Sequence, residues 1–504
     1  MMSPARSYFR KARYGSLEGS VARVIAALSL AGAVGGCAVG PDYDPPAAHL
    51  SEFHSAAAVA GRTGSAPRPS LDAWWEGFRD PELTRIIGEV LRQNLDLQAA
   101  LARVEQARWA ASGSGARLLP SIDLDSTAVR QRQSQESPIG AIGRNLPGYQ
   151  RYQSLYDAGV SASWEIDLFG GLRRAADAAS EEAEAAEAAH LGTRISVAAD
   201  AADAYLRIRG DQVRISVAKE QVATNAQLLS LVQERFGQGL ATDREVAQAE
   251  ALLASARASL QPLTIALEIQ LNRLDVLMGV QPGTYARELD AKADIPAAPA
   301  IGRTAAADLL RRRPDIIAAE RRLAASNSRI GVAIADYYPK FSLAGVLGFE
   351  SSNASDLFRA ATFQPQGILG LRWRLFDFGK IDAEVGAAKG AEKEALADYR
   401  QSVLHAAEDV ENAFTALVQF EAHVQELKRD ASSLTRARDL SRQAYQAGVI
   451  PLTDVLDANR QLLSAEDALA EARVDAASAA VSAFRALGGG WSADNSKIME
   501  VAND

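Results

Sequence analysis

The sequence has few of the residues that build catalytic or metal centres. Its 504 residues include one cysteine, four methionines and five histidines, and the histidines lie apart, at positions 49, 54, 190, 405 and 423. One cysteine cannot form a disulfide within the chain, and scattered histidines do not provide a zinc or copper site. The sequence shows no nucleophile, metal or phosphate-binding constellation, and its net charge of −9 gives no indication of a nucleic-acid partner. We therefore predict that the protein is not an enzyme and binds neither metal nor nucleic acid.

The amino terminus contains an apolar run that is too short to span a membrane as a helix. Residues 24–34 are apolar or small and follow a basic region, which is typical of a secretory signal. Gly35-Gly36-Cys37 resembles a bacterial lipobox, so we predict a lipoprotein signal peptide over 1–36 and a covalent lipid on Cys37. No cofactor is expected. Ala38, which is not aspartate, goes with outer-membrane sorting in lipoproteins that resemble this one. In the alternative, cleavage at another small residue leaves Cys37 as a free thiol.

Proline is missing from two long stretches, 171–235 and 379–444. Both are rich in residues that favour helices, and the first would be about 100 Å long as one helix at about 1.5 Å per residue. In the second stretch, apolar residues recur every three or four positions, which is typical of a coiled coil. This stripe consists of Val403, Ala406, Val410, Ala413, Leu417, Phe420, Val424, Leu427, Ala431 and Leu434.

Each stretch follows a segment with the periodicity of a strand. Residues 159–169 and 369–375 alternate between apolar and other residues, which is the period of a strand with two different faces. Trp164 and Trp373 are 209 positions apart, and so are Gly239 and Gly448. A constant displacement indicates a tandem internal duplication.

Two further segments, around 122–128 and 341–349, also alternate, so the chain has four predicted strands. Strands of about ten residues cross a bilayer when tilted, and lipid does not tolerate open sheet edges. Single-chain barrels begin at about eight strands, so four strands must be completed by further copies: two copies would give eight strands and three would give 12. We therefore predict an obligate homo-oligomer of a membrane α+β fold, with four transmembrane β-strands per chain in a shared barrel.

The duplication sets the predicted domain boundaries. After the signal peptide, 1–36, come an acylated extended linker, 37–71, a first repeat, 72–290, an inter-repeat linker, 291–304, a second repeat, 305–490, and a tail, 491–504. The first repeat is predicted to contain strands at about 120–130 and 158–169 and a helical hairpin at 171–280. The second is predicted to contain strands at about 340–350 and 367–377 and a hairpin at 379–487. A helix from Pro81 to about Ala116 and another from about Ala305 are predicted to precede the first strand of each repeat, and 131–153 is predicted to be an exposed loop.

Several short motifs follow one another in a specific order along the chain. They are Cys37 with Val39–Tyr43, Trp74-Trp75 before Phe78, Leu310–Ile316, Ile330-Gly331 before Tyr338-Pro339, Trp373–Gly379 and Leu456–Arg460. Together they resemble the TolC-like outer-membrane efflux factors, specifically the NodT-type outer-membrane lipoproteins of resistance-nodulation-division efflux systems. The resemblance covers nearly the whole mature chain.

The resemblance implies a homotrimer whose 12-stranded outer-membrane barrel continues as a long periplasmic α-helical coiled-coil barrel. It implies an exit duct that passively conducts small molecules such as drugs out of the cell. The implied partners are a periplasmic membrane-fusion adaptor, an inner-membrane resistance-nodulation-division pump and outer-membrane lipid. In such systems the inner-membrane pump selects the cargo, so a drug, metal, solvent or signalling molecule would each fit.

The resemblance also assigns roles near the two helix–turn–helix tips, 237–243 and 447–454. A resting duct must be closed, because an open tube would make the outer membrane leak. Tyr445, Asp457 and Arg460 match the gating positions of the family, although Asp457 and Arg460 could also be an ordinary surface pair. The residues that match the adaptor-docking surface are Arg235, Gly239, Leu240, Gly448 and Val449, and the two glycines could also serve only as helix caps.

Two other groups of charges receive structural interpretations. Asp123 and Asp125, like Glu165 and Asp167, share one face of a predicted strand and are expected to line the pore. The arginines at 311–313 are expected to form a solvated turn with ion pairs to Asp308, Asp315 and Glu320.

Two alternative functions fit part of the pattern. An outer-membrane duct for type I protein secretion would have the same architecture, but the lipobox and the Val39–Tyr43 motif favour small-molecule efflux. A lipid-anchored periplasmic coiled-coil scaffold would explain the helices and Cys37, but it leaves the four alternating strands without a purpose.

Overall fold

The computed structural model of the chain describes residues 38–47, 50–61, 69–285, 288–290, 294–301, 309 and 311–492. The predicted signal peptide and Cys37 lie outside these residues. Ala305, where the sequence predicts the start of a helix, also lies outside them, as does most of the predicted tail.

The described residues form mostly helices, together with four strands. The helices are α1 (Ala56–Ala60), α2 (Pro81–Gln93), α3 (Leu95–Ala116), α4 (Pro138–Gly143), α5 (Gly171–Gly237), α6 (Asp243–Leu277), α7 (Pro314–Ala335), α8 (Lys380–Gln446) and α9 (Leu452–Ala486). The strands are β1 (Ser121–Arg132), β2 (Tyr152–Ile166), β3 (Lys340–Ser351) and β4 (Phe363–Arg372).

The two long proline-free stretches form α5 and α8, each a single helix of 67 residues. Because no proline interrupts the ladder of backbone hydrogen bonds, each helix continues until a glycine turn ends it. Most of the apolar stripe of α8 is buried, including Val410, Leu417 and Val424. The stripe therefore faces the interior of the fold, as the three-and-four spacing predicts.

The helix predicted from Pro81 to Ala116 is instead two helices, because Asn94 separates α2 from α3. Asn94 has an extended backbone and is buried. Its Oδ1 accepts a hydrogen bond from the Leu97 amide (3.0 Å), and its Nδ2 donates to the Leu277 carbonyl (2.9 Å). The break depends on a contact with a distant helix end, and neither glycine nor proline marks it in the sequence.

The strands form one antiparallel sheet in the order β1-β2-β3-β4. Ser121 pairs with Ser163 in the first hairpin, and Lys340 pairs with Arg372 in the second. Ser121 and Lys340 are 219 positions apart, whereas Ser163 and Arg372 are 209 apart. These displacements hold for each of the ten pairs of the second hairpin, so both repeats have the same strand register.

Matching hydrogen bonds show the same equivalence. Trp164 Nε1 donates to the Leu118 carbonyl at 2.9 Å, and Trp373 Nε1 donates to the Tyr337 carbonyl at 2.9 Å. Leu118 and Tyr337 are 219 positions apart, and the tryptophans are 209 apart. The duplication seen in the sequence is therefore repeated in the hydrogen bonding of the sheet.

Two strands have bounds that differ from the predicted ones. β2 begins at Tyr152 because β1 continues to Arg132, its partner. The predicted exposed loop over 131–153 is therefore partly strand, and α4 occupies part of the remainder. β4 covers Phe363–Arg372 rather than 367–377, because β3 begins at Lys340, directly after Pro339, and provides no partner beyond Arg372.

The chain forms two compact units, and each takes segments from both repeats. The first unit contains the sheet and comprises the described residues of 38–43, 110–179 and 326–391. The second comprises the described residues of 44–109, 180–325 and 392–492. The core of the second unit includes Trp74, whose ring stacks on Phe484 with centroids 5.5 Å apart. The boundary between the two units therefore cuts across both sequence repeats.

Asp275 near the end of α6 organises the turn that follows this helix. Its buried carboxylate accepts hydrogen bonds from the amides of Gly283 (2.6 Å), Thr284 (3.2 Å) and Tyr285 (3.2 Å). We expect Asp275→Ala to destabilise the fold by about 1–3 kcal/mol, because the substitution removes a buried charged acceptor that three backbone amides share. Two measurements test this: the rate of protease cleavage within residues 281–285, which should rise, and the thermal unfolding midpoint, which should fall. Glu268→Ala, at an exposed position of α6, is the control, and equal effects of the two substitutions would contradict the assignment.

Candidate functional site

The two tips that join the long helices have the same backbone geometry. At the first tip, the Leu240 amide donates to the Arg235 carbonyl at 2.9 Å, and the Gly239 amide donates to the Phe236 carbonyl at 3.0 Å. At the second tip, the amides of Val449 and Gly448 donate to the carbonyls of Ala444 (2.9 Å) and Tyr445 (3.0 Å). Both are helix-ending turns in which the glycine has a positive φ, +73° at Gly239 and +76° at Gly448.

The tips are open to solvent in the chain. A Cβ atom added at Gly239 or Gly448 would meet no heavy atom within 4 Å. Leu240 and Val449, which follow the two glycines, are large apolar residues exposed by 63% and 75%. Each tip therefore presents a narrow glycine turn beside one exposed aliphatic side chain.

Arg235 and Tyr445, predicted for docking and for gating respectively, contact each other. The Arg235 guanidinium lies over the Tyr445 ring at 4.8 Å from its centroid, and Arg235 Nη1 donates to the carbonyls of Tyr445 and Gln446 at 3.4 Å. This contact joins the end of α8 to the last turns of α5 through a cation–π interaction. A residue predicted for docking and a residue predicted for gating are therefore in direct contact.

Tyr445 is 3% exposed and packs in a small apolar cluster at the tips. Burial raises the pKa of its phenol; the Glu245 carboxylate adds to this rise, and Arg235 opposes it. The other fully buried members of the cluster are Leu228, Val232, Ala249, Leu452 and Val455. In the single chain, Tyr445 is therefore a core residue of the tips and stays neutral at ordinary pH.

Asp457 and Arg460 form the second part of the predicted gate, on the exposed face of α9. Arg460 Nη2 lies 2.5 Å from Asp457 Oδ1, with the side chains exposed by 75% and 47%. Gln461 Nε2 donates to the other carboxylate oxygen. The structure thus brings Asp457 and Arg460 together on one helix face, as their three-residue spacing predicts, whereas Tyr445 is buried beside Arg235.

The prediction of a solvated turn at 311–313 is wrong for Arg313. Its side chain is 11% exposed and pairs with Asp315 (2.7 Å) and Asp409 (2.8 Å). Arg312 pairs with Asp72 at 2.6 Å. Of the predicted partners, Glu320 pairs with Arg321 and Asp308 lies outside the described residues. Distant segments supply Asp72 and Asp409, so local spacing could not identify them.

The carboxylates predicted to line the pore differ in their structural positions. Asp123 and Asp125 are exposed in β1, where Asp125 accepts a hydrogen bond from Ser161 Oγ at 3.0 Å. Asp167, by contrast, lies beyond the end of β2 and accepts from the amides of Leu172 (3.2 Å) and Arg173 (2.9 Å). The strand interpretation of Asp167 is therefore wrong, because this carboxylate caps the first turn of α5.

Among the described residues there is no group of three or more histidine, cysteine or acidic side chains that could hold a metal ion. No helix in the described part of the chain is long and apolar enough to span a membrane.

A sheet of alternating strands combined with two pairs of long helices is the architecture of an outer-membrane efflux channel. The family model described as Outer membrane efflux protein matches residues 86–280 and 305–489, and the chain belongs to this family. The two matched stretches fall one in each half of the duplication. The resemblance to TolC-like efflux factors is thereby confirmed.

Known relatives agree with this assignment. The pyoverdine export outer membrane protein OpmQ of Pseudomonas aeruginosa is 32% identical over 438 residues, which cover 86% of this chain and 90% of that protein. Nodulation protein T of Rhizobium leguminosarum bv. trifolii is 29% identical over 443 residues, covering 87% of this chain and 91% of that protein. The solved structure of the outer-membrane channel OprN superposes with a TM-score of 0.82 at 33% identity, over 90% of this chain and 100% of that chain. The chain is an outer-membrane efflux channel, as predicted, and the scaffold interpretation is discarded.

Proposed function

We propose that three copies of the chain assemble into the exit duct of a tripartite efflux pump. The observation that carries this proposal is the open four-stranded sheet of an outer-membrane channel. Every residue of β1 is exposed, and so are nearly all residues of β4 at the other edge. Open edges are not tolerated in lipid, so the sheet must be completed by further copies, and three copies give the 12-stranded barrel that the resemblance implies.

Small molecules such as drugs are the proposed cargo. Two relatives carry names that state export of pyoverdine and efflux of toluene, both small organic molecules. We propose that the long helices continue the barrel as a periplasmic coiled-coil tube. An inner-membrane pump of the resistance-nodulation-division type would supply cargo through a periplasmic membrane-fusion adaptor.

The residues that follow Cys37 support the proposed lipid anchor. The Val39 amide donates to the Phe169 carbonyl at 3.0 Å, and Asp42 pairs with Arg174 at 2.8 Å. The start of the mature chain is thus held against the turn between β2 and α5, where the sheet ends. A lipid on Cys37 would there lie close to the end of the barrel, at the height of the inner leaflet.

The tips provide the proposed gate and docking surface. Tyr445, Asp457 and Arg460 are proposed as gate residues, since three copies would place three exposed Asp457–Arg460 pairs around one axis. The open turns at Gly239 and Gly448, with Leu240 and Val449 exposed beside them and Arg235 behind, are proposed as the adaptor-docking surface.

Deleting this gene from a host that lacks its other family channels tests the proposed function. We expect intracellular accumulation of a fluorescent cationic dye to rise severalfold, and the full-length chain to restore efflux. Unchanged dye accumulation combined with loss of a secreted protein would instead support type I secretion. Unchanged accumulation and unchanged secretion would contradict both functions.

A further inference from the structure

Within the chain, β2 and β3 form the junction between the two repeats. In this junction Ile166 pairs with Phe341, and Trp164 pairs with Leu343. β4 is the repeat equivalent of β2, and β1 is the equivalent of β3, by the displacements of 209 and 219 positions. In a closed ring of copies, β4 of one copy would meet β1 of the next, which is again a junction between consecutive repeats.

We infer that β4 pairs antiparallel with β1 of the next copy in the register of the β2–β3 junction. This inference rests on the proposed homotrimer and specifies how its copies join. The equivalence places Trp373 opposite Leu124, Arg372 opposite Asp125 and Arg374 opposite Asp123 of the next copy. The partner for the sheet edges is therefore a second copy of this chain, held by two pairs of opposite charges on the polar face.

The charges select this register among its neighbours. A shift by one residue would place Arg374 opposite Ile122 or Leu124 and would exchange the two faces of the strand. A shift by two residues would place one of the arginines opposite Ser121 or Thr127. Only the inferred register pairs both arginines with carboxylates. Because this register is taken from the β2–β3 pairing, the charges support it independently.

Arg372 also lacks a suitable neighbour on the intrachain side of its strand. The residue directly opposite it in β3 is Lys340, and like charges opposite each other are destabilising. Lys340 pairs with Asp336 at 2.8 Å, and Arg374 pairs with the same carboxylate at 2.5 Å. Asp336 thus pairs with both Lys340 and Arg374, and Glu384 also lies near, at 3.7 Å from Arg374. Asp125 of the next copy would supply a carboxylate for Arg372, the third cation of the cluster.

The end of β4 fits the same inference. β2 extends to Ile166 because β3 runs alongside it, even though its pairing with β1 stops at Ser163. β4 has only one neighbour and stops at Arg372, the equivalent of Ser163. Pairing with β1 of the next copy would extend β4 to Leu375, the equivalent of Ile166. The alternation of Trp373 and Leu375 with the arginines, which predicted a longer strand, would then be explained.

An exposed aromatic residue marks the same junction. Phe169, which follows β2, stacks on Tyr338 with ring centroids 4.6 Å apart. Its repeat equivalent, Phe378, is fully exposed and has a positive φ of 55°. Leu119, the equivalent of Tyr338, is also exposed. The inferred junction brings Phe378 of one copy to Leu119 of the next, so both find the contact that Phe169 and Tyr338 have within the chain.

Disulfide crosslinking of the full-length protein in outer membranes tests the register. The pair Leu371→Cys/Ser126→Cys lies directly opposite in the inferred register and leaves all four charged residues in place. The second pair is Arg372→Cys/Asp125→Cys. Shifted controls are Leu371→Cys/Leu124→Cys and Arg372→Cys/Thr127→Cys, with the single variants reporting any contribution of Cys37. Oxidised samples are run without reductant, and the native mass of each variant is measured in mild detergent.

We expect covalent dimers and trimers from the two aligned pairs. The shifted pairs should yield at least about tenfold less, because a shift of two residues moves the Cα atoms about 7 Å along the strand. A native trimer that crosslinks best through a shifted pair would overturn the register and leave the homotrimer standing. A monomeric native mass without crosslinks would overturn the proposed trimer as well.

Discussion

Replacing Asp457 and Arg460 together with alanine is expected to raise the passive conductance of the resting channel severalfold. The two side chains form a pair on the exposed face of α9, with 2.5 Å between Arg460 Nη2 and Asp457 Oδ1. In a trimer, three such pairs around a narrow axis would obstruct the path of ions, and short methyl groups would not. Conductance of the purified protein in planar bilayers measures the effect.

A second exposed pair provides a matched control. Arg429 and Glu426 of α8 are also three residues apart and 2.7 Å from each other, with their side chains exposed by 75% and 70%. Exposed pairs of this kind contribute only about 0.3–0.5 kcal/mol to stability, so neither double substitution should unfold the protein. A resting conductance that stays at the wild-type value for Asp457→Ala/Arg460→Ala, or that rises equally for Arg429→Ala/Glu426→Ala, would refute the gate.

Gly239→Trp is expected to abolish efflux while leaving assembly intact. The position is at the outermost part of a tip, where an added side chain meets no other atom of the chain. A large ring would therefore project toward the proposed adaptor and obstruct docking rather than folding. Dye efflux in cells and the native mass of the purified variant are the two measurements.

The control for this substitution is Gly239→Ala. Both variants require a side chain at a φ of +73°, which costs about 1–2 kcal/mol, but only tryptophan adds bulk. We expect Gly239→Ala to retain most of the efflux. If both variants lose efflux equally, strain in the turn is responsible; if both retain it, Gly239 lies outside the docking surface.

Periodicity in the sequence predicts much of the fold because it reflects geometry that the backbone imposes. Alternation around Trp164 and Trp373 predicts strands, and the absence of proline over 171–235 predicts a single long helix. The constant displacement of 209 reveals the duplication, which the identical hairpin registers repeat. Strands, long helices and a constant displacement are patterns along the chain, so they can be predicted from the sequence alone.

The features that the sequence does not reveal depend on partners far along the chain. Asn94 breaks a helix because it binds the end of α6, and the half-buried Arg313 pairs with Asp409 of α8. β4 is shorter than its alternation predicts because β3 begins only after Pro339. In each case a tertiary contact outweighs the local pattern.

In the proposed site, too, some features can be predicted from local spacing and others depend on distant contacts. The i,i+3 spacing is enough to predict that Asp457 and Arg460 share a helix face. The burial of Tyr445 beneath Arg235 could not be predicted, because these residues belong to different helices and different repeats. Their contact joins one residue of the proposed docking surface to one residue of the proposed gate.

Electron microscopy of the detergent-extracted, full-length protein tests the central claim most directly. We predict particles with three-fold symmetry: a tube of roughly 100 Å or more, at about 1.5 Å per helical residue, with a detergent belt around one end. Separate rods or compact monomers of native mass would contradict it, because an unaccompanied four-stranded sheet cannot form the duct through which an efflux pump discharges.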